Sequence, residues 1–197
     1  CYEKNPEKIN VGFVSSDFRS HPVGYALTNV IEHLKSYNFN LFGYYSFSFE
    51  DDLTNKFKKD FDYFRNITDL NDEQIINKIR SDGIHILIDL AGYTFNNKLS
   101  IFFYNPAPIQ ISWLGYLPTT GLKEIKYKIG DSHIYSKEIE KNFSEIILRL
   151  PNAWSDFVVS KNIDKAEAFF DDKSDQIVFG SFVTLRKINN KVIDLWS

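Results

Sequence analysis

The sequence predicts an α/β protein built on a doubly wound parallel sheet. Three observations carry that expectation. Apolar runs of strand character alternate along the chain with segments of helical spacing. One run, Ile84–Leu90, is almost unbroken apolar residues, as a central parallel strand covered on both faces requires. Polar, glycine-bearing loops follow several strands, and in alternating α/β proteins ligands bind at those carboxyl ends.

Each element has its own reason. Ile9–Val14 reads as a buried strand, followed by the loop Ser15–Ser20. Pro22 suits the first position of a helix, with His21 or Ser20 as N-cap, and the helix runs to about Lys35. Phe39–Tyr45 is a second strand and Asp51–Asp60 a charged, exposed helix. In Asp72–Ser81, Ile75, Ile76 and Ile79 recur at helical spacing, and Asp82-Gly83 stops the helix. After the Ile84–Leu90 strand come a short helix at Asn97–Phe103 and a strand at Ile109–Trp113. Pro106 and Pro108 stiffen the approach to that strand. Lys126–Ile129 and Ile146–Leu150 are further strands. Ser160–Asp175 is polar and charged, the best linker candidate. It divides a first domain, 1–159, from a second that begins with a strand at Gln176–Gly180 and a helix at Lys191–Trp196.

Composition bounds the function. The 197 residues, 43% hydrophobic, fill one sizeable core and begin a second. A net charge of -3 argues against a groove that binds nucleic acid by phosphate attraction. No apolar run approaches the ~20 residues of a membrane span, and nothing at the N-terminus resembles a signal peptide. The default expectation is a soluble cytoplasmic protein with no membrane partner. Cys1 is the one cysteine, which excludes an internal disulfide framework or a cysteine zinc site, and no other spacing resembles a metal site. The chain has no methionine and begins at Cys1, so it is read as part of a longer protein. The first strand-to-helix loop lacks Gly-x-Gly-x-x-Gly, which argues against a nicotinamide dinucleotide site.

Three loops carry candidate chemistry. In Val14–Pro22, Asp17 and His21 stand just before a helix N-terminus, where partial positive charge and free N–H groups favour anions. His21 can donate to a ligand oxygen; Asp17 can hold a neighbouring group or accept a proton. Each also has a structural reading, as a cap or a satisfied polar side chain. The loop after Ile84–Leu90 offers Gly92-Tyr-Thr94. His85 lies inside that strand and reads as structural. Asp89 reads either as a buried, hydrogen-bonded carboxylate or as a group behind the site. The third loop, Leu114-Gly-Tyr-Leu-Pro-Thr-Thr-Gly121, pairs a glycine that admits close approach with hydroxyl donors.

These segments resemble the O-linked N-acetylglucosamine transferase (SPINDLY-like) family. Val11-Gly-Phe-Val-Ser-Ser-Asp-Phe-Arg-Ser-His-Pro22 is similar to its opening block, and Asp82-Gly-Ile-His-Ile-Leu87 with Gly92-Tyr-Thr94 to a second. Pro106-Ala-Pro-Ile-Gln110 and Trp113-Leu-Gly-Tyr116 to Gly121 resemble a third, and Ile177–Ile188 the start of the second lobe. The resemblance implies the Rossmann-like N-terminal lobe of a GT-B-type glycosyltransferase, with a truncated start of the nucleotide-binding lobe at 176–197. It implies inverting transfer of N-acetylglucosamine from a uridine diphosphate donor to protein Ser or Thr hydroxyls, without metal or other cofactor. The implied partners are a nucleotide-sugar donor, a protein acceptor and upstream tetratricopeptide repeats.

By matched position, the resemblance makes His21 a donor contact and Asp17 a proton-handling candidate. Lys187 would stabilise the leaving diphosphate, and Thr184 would contact the uridine nucleotide. Pro22, Thr94, Leu114 and Gly115 would bind substrate. Four departures stand out: Ser20 where Asn is frequent, Val23 where a Thr contributes to the sugar pocket, Leu117, and Val183 in place of Asn. They leave open a transferase of another sugar, or to Asn, and a non-catalytic protein-binding module. Topology alone would also fit a flavodoxin-like receiver domain, which leaves the Pro106–Gly121 block unexplained.

Overall fold

A computed structural model describes residues 2–4, 6–156 and 180–197. The chain divides into two compact units, Cys1–Val159 and Ser160–Ser197. The expected linker at Ser160–Asp175 lies outside the described residues, as does the expected strand from Gln176 apart from Gly180.

The first unit is a seven-stranded sheet in the order β3-β2-β1-β4-β5-β6-β7, parallel throughout. Its strands are β1 (Ile9–Ser15), β2 (Phe39–Tyr45), β3 (Tyr63–Asn66), β4 (Ile86–Asp89), β5 (Ile109–Ser112), β6 (Tyr127–Gly130) and β7 (Ile146–Arg149). Helices α1 (Pro22–Leu34), α2 (Asp52–Asp60), α3 (Asp72–Ser81), α4 (Leu99–Phe102) and α5 (Lys137–Glu140) connect them. The order runs outward from β1 in one direction and from β4 in the other. The strand sequence therefore reverses between β1 and β4, which is where Rossmann-like sheets bind ligands.

Alternation along the strands builds two cores. Val11, Phe13, Leu41 and Ile88 face one side with Leu27 and Ile31 of α1 and Phe57 of α2. Val14, Phe42, Tyr44 and Leu87 face the other with Ile75, Ile76 and Ile79 of α3 and Phe102 of α4. Neighbouring residues thus point to opposite faces, the period of a strand buried on both sides.

Several elements differ from expectation for local reasons. The helix expected to be exposed from Asp51 instead buries Thr54 and Phe57, with Asp51 as its N-cap in a capping box with Thr54. The strand expected at Ile84 begins its ladder at Ile86; Ile84 is buried in the second core just before it. β3 and α5, each four residues long, were not anticipated. The stop at Asp82-Gly83 is present: Gly83 takes φ +63° and donates its N–H to the Arg80 carbonyl. No helix among the described residues is long and apolar enough to cross a membrane.

The second unit holds a 3-10 turn at Leu185–Lys187 and the helix α6 (Asn190–Trp196), whose N-cap Asn189 accepts the Val192 N–H.

Candidate functional site

The loops after β1, β4 and β5 meet at one cavity of about 150 Å³. Its lining includes Asp17, Arg19, His21, Thr94, Asn96 and Gly115. Asp17 and His21 come from the first loop, Thr94 from the second and Gly115 from the third. Four of the residues singled out in the sequence are thereby brought together at the reversal point of the sheet.

Phe18 anchors the first loop. It is fully buried against Phe57 and Phe61, each with ring centroids 5.3 Å away. That insertion leaves its neighbours Asp17 and Arg19 at the cavity. Arg19 donates to Asp17 Oδ1 at 3.3 Å and to the Ser16 carbonyl at 3.3 Å, and its guanidinium lies over the Phe47 ring. The Ser20 N–H donates to Asp51 Oδ2 at 2.7 Å, tying the loop to the N-cap of α2. Burial pushes the Asp51 carboxyl up, but bonds from Ser20 and Thr54 outweigh it and hold the group near about 2.

His21 is the N-cap of α1: its Nδ1 accepts the Val23 N–H at 3.3 Å. A ring nitrogen that accepts cannot carry the proton, so the neutral ring bears its hydrogen on Nε2. Pro22 occupies the first position of the helix, where a missing N–H costs nothing.

Asp89 fixes the second loop. It is fully buried and accepts from the N–H groups of Ala91 at 3.1 Å and Gly92 at 2.8 Å. The reading of a buried, hydrogen-bonded carboxylate is therefore the one the geometry supports. Burial pushes its carboxyl up to about 6, against the pull of those two donors and of the Lys128 charge. Gly92 sits at φ +54° with Tyr116 so close that a Cβ would meet its ring carbon Cγ at 2.5 Å. Beyond it, Thr94 donates its hydroxyl to the Ala91 carbonyl at 2.8 Å, which leaves the oxygen lone pairs as acceptors. Ser16 and Ser46 bond the carbonyls of Phe95 and Asn96, so this loop is held while the Phe95 side chain stays 82% exposed.

The third loop opens with a γ-turn. The Gly115 N–H donates to the Trp113 carbonyl at 3.0 Å around Leu114, whose φ is +71°. For a bulky residue that conformation is strained, and it persists where the surroundings over-determine it. Leu114 is 7% exposed and belongs to the first core, so its side chain serves as an anchor. Neither Leu114 nor Pro22 is among the residues that line the cavity. Gly115 lies against β4: a Cβ would stand 2.1 Å from the Leu90 carbonyl oxygen.

Lys187 and Thr184 lie in the second unit, on the 3-10 turn that Thr184 caps, with the Lys187 N–H donating to the Thr184 carbonyl at 2.9 Å. Both are exposed. His85 is structural: its Nδ1 accepts the Asn10 N–H at 3.0 Å and its Nε2 meets the Glu3 carbonyl at 2.9 Å. Among the described residues no cluster of three or more His, Cys, Asp or Glu could hold a metal ion. Arg19, Phe47 and Asn96 had not been singled out from sequence. Arg19 stands between Asp17 and His21 in the opening block, the one signal that pointed to it.

The fold and the cavity define a Rossmann-like lobe with a small ligand site, part polar and part apolar, at the switch point of its sheet. Comparison with known proteins gives that lobe its family. The chain belongs to glycosyl transferase family 41, which it matches over residues 2–161. It is 32% identical over 199 residues to a protein of Solanum lycopersicum named probable UDP-N-acetylglucosamine--peptide N-acetylglucosaminyltransferase SPINDLY, covering 98% of this chain and 21% of that one. It is 27% identical over 199 residues to the Arabidopsis thaliana protein of the same enzyme name designated SEC, covering 96% of this chain and 20% of that one. A structure of a K341M mutant O-GlcNAc transferase from Thermobaculum terrenum is similar with a TM-score of 0.73 and 32% identity, over 76% of this chain and 29% of that one. The chain thus spans about a fifth of the length of these curated relatives.

Proposed function

We propose that this chain forms one wall of the active site of a protein glycosyltransferase. The reaction is transfer of N-acetylglucosamine, with inversion, from a uridine diphosphate donor to a Ser or Thr hydroxyl. The observation that carries the reading is the convergence of Asp17, His21, Thr94 and Gly115 on one cavity. A cavity of about 150 Å³ suits a six-membered ring, since an engineered cavity of that size takes benzene. Its mixed lining suits a sugar: Asp17, Arg19, His21, Thr94 and Asn96 can meet hydroxyls, and Val23, Phe47 and Phe95 an apolar ring face. The names of the relatives supply the sugar and the peptide acceptor.

In this reading the Nε2–H of His21 donates to the bound donor, and Asp17 takes part in moving the acceptor proton. Pro22 and Leu114 act through the backbone they fix, and Thr94 and Gly115 contact the sugar. Lys187 supplies positive charge to the departing diphosphate and Thr184 contacts the nucleotide. No metal or cofactor takes part, and the donor is a substrate. The full-length protein carries the rest of the nucleotide-binding lobe and, upstream, tetratricopeptide repeats that present protein acceptors. It works in the cytoplasm, consistent with a chain whose one cysteine can form no internal disulfide. The 197 residues alone hold half a site and are catalytically silent.

A second reading keeps the chemistry and changes the sugar. Val23 lines the cavity at the position where the resemblance implies a threonine, so in this reading an apolar contact to the ring stands in place of a polar one. One experiment addresses both readings. The full-length protein is incubated with a Ser/Thr acceptor peptide and a panel of nucleotide sugars, and peptide mass is followed. A gain of one N-acetylhexosamine from the uridine donor supports the first reading, and a gain from a different donor the second. No gain with any donor sinks both and leaves the binding module.

A further inference from the structure

Lys128 has no part in the chemistry above, yet it is one of the largest fully buried side chains, 1% exposed. It projects from β6, in register with Ser112 of β5. An ammonium leaves water at high cost unless acceptors replace its hydration. Here the acceptors are specific: Nζ donates to Ser112 Oγ at 2.9 Å and to the Tyr116 carbonyl at 2.8 Å. Tyr116 directly follows Gly115, so the ammonium grips the loop one residue beyond the cavity wall.

Neutral donors hold the rest of that loop. The Tyr135 hydroxyl donates to the Leu117 carbonyl at 2.8 Å and the Tyr93 hydroxyl to the Thr120 carbonyl at 2.6 Å. Glu145 accepts the Thr119 hydroxyl at 2.6 Å and the Thr120 N–H at 2.7 Å. A phenol satisfies a carbonyl at Leu117 and at Thr120, so satisfying the Tyr116 carbonyl does not by itself require a charge. The carboxylates whose charges reach Lys128 are Glu145 and Asp89. One fixes the far end of the third loop, and the other fixes the turn that leads to Thr94. The ammonium therefore holds the third loop and the end of β5 by direct bonds, and two carboxylate charges favour its ionised form.

We propose that Lys128 is a positioning residue of this site: its buried ammonium fixes the Tyr116 carbonyl, and through it Gly115 and the turn at Leu114, opposite Thr94. The effect on transfer rests on the transferase reading; the effect on the loop does not. The strained Leu114 turn needs surroundings that over-determine it, and Lys128 is the charged part of those surroundings. Released from Nζ, the loop relaxes and Gly115 leaves its place in the wall. A misplacement of about 1 Å at a reacting centre costs about 10²-fold in rate.

The test is Lys128→Met, which keeps the stem and removes the donors. In the full-length protein kcat falls about 10²-fold, while the KM of donor and of acceptor moves far less. In the 197-residue chain the Gly115 and Thr120 amides, whose N–H groups are bonded, exchange with solvent faster than in the wild type, and those of β1 do not. Lys128→Arg, which keeps a charged donor, restores part of kcat. Should Lys128→Met fail to fold with its carboxylates uncompensated, Lys128→Met with Glu145→Gln removes one charge of each sign and is compared with Glu145→Gln alone. Unchanged kcat in a folded variant overturns the proposal, and so does a lowered melting temperature with unchanged exchange at Gly115 and Thr120. A wild-type protein that transfers nothing from any donor defeats the transferase reading; the exchange measurement then still decides whether Lys128 holds the loop.

Discussion

His21 Nδ1 lies 3.6 Å from Asp17 Oδ2 while it accepts the Val23 N–H at 3.3 Å. One ring nitrogen thus serves the helix and faces the carboxylate, which leaves Nε2 to whatever enters the cavity. Structure and proposed chemistry meet in this residue, and two substitutions separate them. His21→Ala removes both roles: transfer falls, and the lost cap costs about 0.5–2 kcal/mol of stability. His21→Asn restores a capping side chain and no imidazole. Its melting temperature returns toward wild type while transfer stays low. Recovery of transfer in His21→Asn would reduce His21 to a helix cap.

Gly115→Ala tests the close approach of two backbones. The added methyl would stand 2.1 Å from the Leu90 carbonyl oxygen and 3.2 Å from Val23 Cγ2. A carbonyl at the end of a central strand cannot swing aside as a side chain can. The variant loses at least about 1–3 kcal/mol in urea or thermal unfolding, the usual cost of overpacking. A wild-type melting temperature would mean that the third loop makes no close backbone contact with the Leu90 carbonyl.

Stability responds to pH through Asp89. Burial pushes its carboxyl up to about 6 in the folded protein, above the usual carboxylate range near about 4 in the unfolded chain. The folded state therefore binds the Asp89 proton more tightly. Its contribution is fully present below about 4 and is lost as pH rises through about 6. Asp89→Asn cannot ionise and removes this slope. Groups remote from Asp89 titrate alike in both proteins; Lys128, whose charge reaches it, is pushed down by burial to about 8, above the window in which Asp89 loses its proton. Thermal melts at about pH 4.5 and about pH 7.5 are expected to show wild type losing stability relative to Asp89→Asn at the higher pH. A difference that runs the other way would mean that Ala91, Gly92 and Lys128 hold Asp89 ionised.

The legible parts of the fold were those with a strong local pattern. β2 and α3 have the bounds expected from their apolar runs and from the Asp82-Gly83 stop. β3 was hidden because Tyr63-Phe-Arg-Asn66 is a short, half-exposed edge with no apolar run. α5 was hidden because one turn, Lys137–Glu140, buries nothing. At the site, His21, Thr94 and Gly115 were visible because their loops follow strands and carry glycine, proline and hydroxyl residues. Lys128 was not visible. In Tyr127-Lys-Ile-Gly130 a lysine reads as the solvent-facing residue of an alternating strand, and only Ser112 and the Tyr116 carbonyl make that position a place for an ammonium. Burial of a charge is decided by residues far away in sequence, which pattern cannot supply.

Lys187 offers the sharpest test of the chemistry, because its expected effect falls on one kinetic constant. It is exposed on the 3-10 turn Leu185–Lys187, so its removal disturbs no core. As the sugar bond breaks, negative charge grows on the departing diphosphate. A cation beside it interacts more strongly with the transition state than with the bound donor. Lys187→Ala in the full-length protein should therefore lower kcat by about 10²–10³, the usual effect of removing one such group, while donor affinity changes much less. Lys187→Arg recovers part of the loss, since a planar fork does not reproduce a compact ammonium at a phosphate contact. Steady-state kinetics with a peptide acceptor, beside donor binding by calorimetry, separates the two constants. If donor affinity falls as far as kcat/KM and kcat holds, Lys187 binds ground state and transition state alike and has no special part in bond breaking. If neither constant moves, the charge that meets the leaving diphosphate comes from elsewhere, and the protein-binding reading of this chain gains ground.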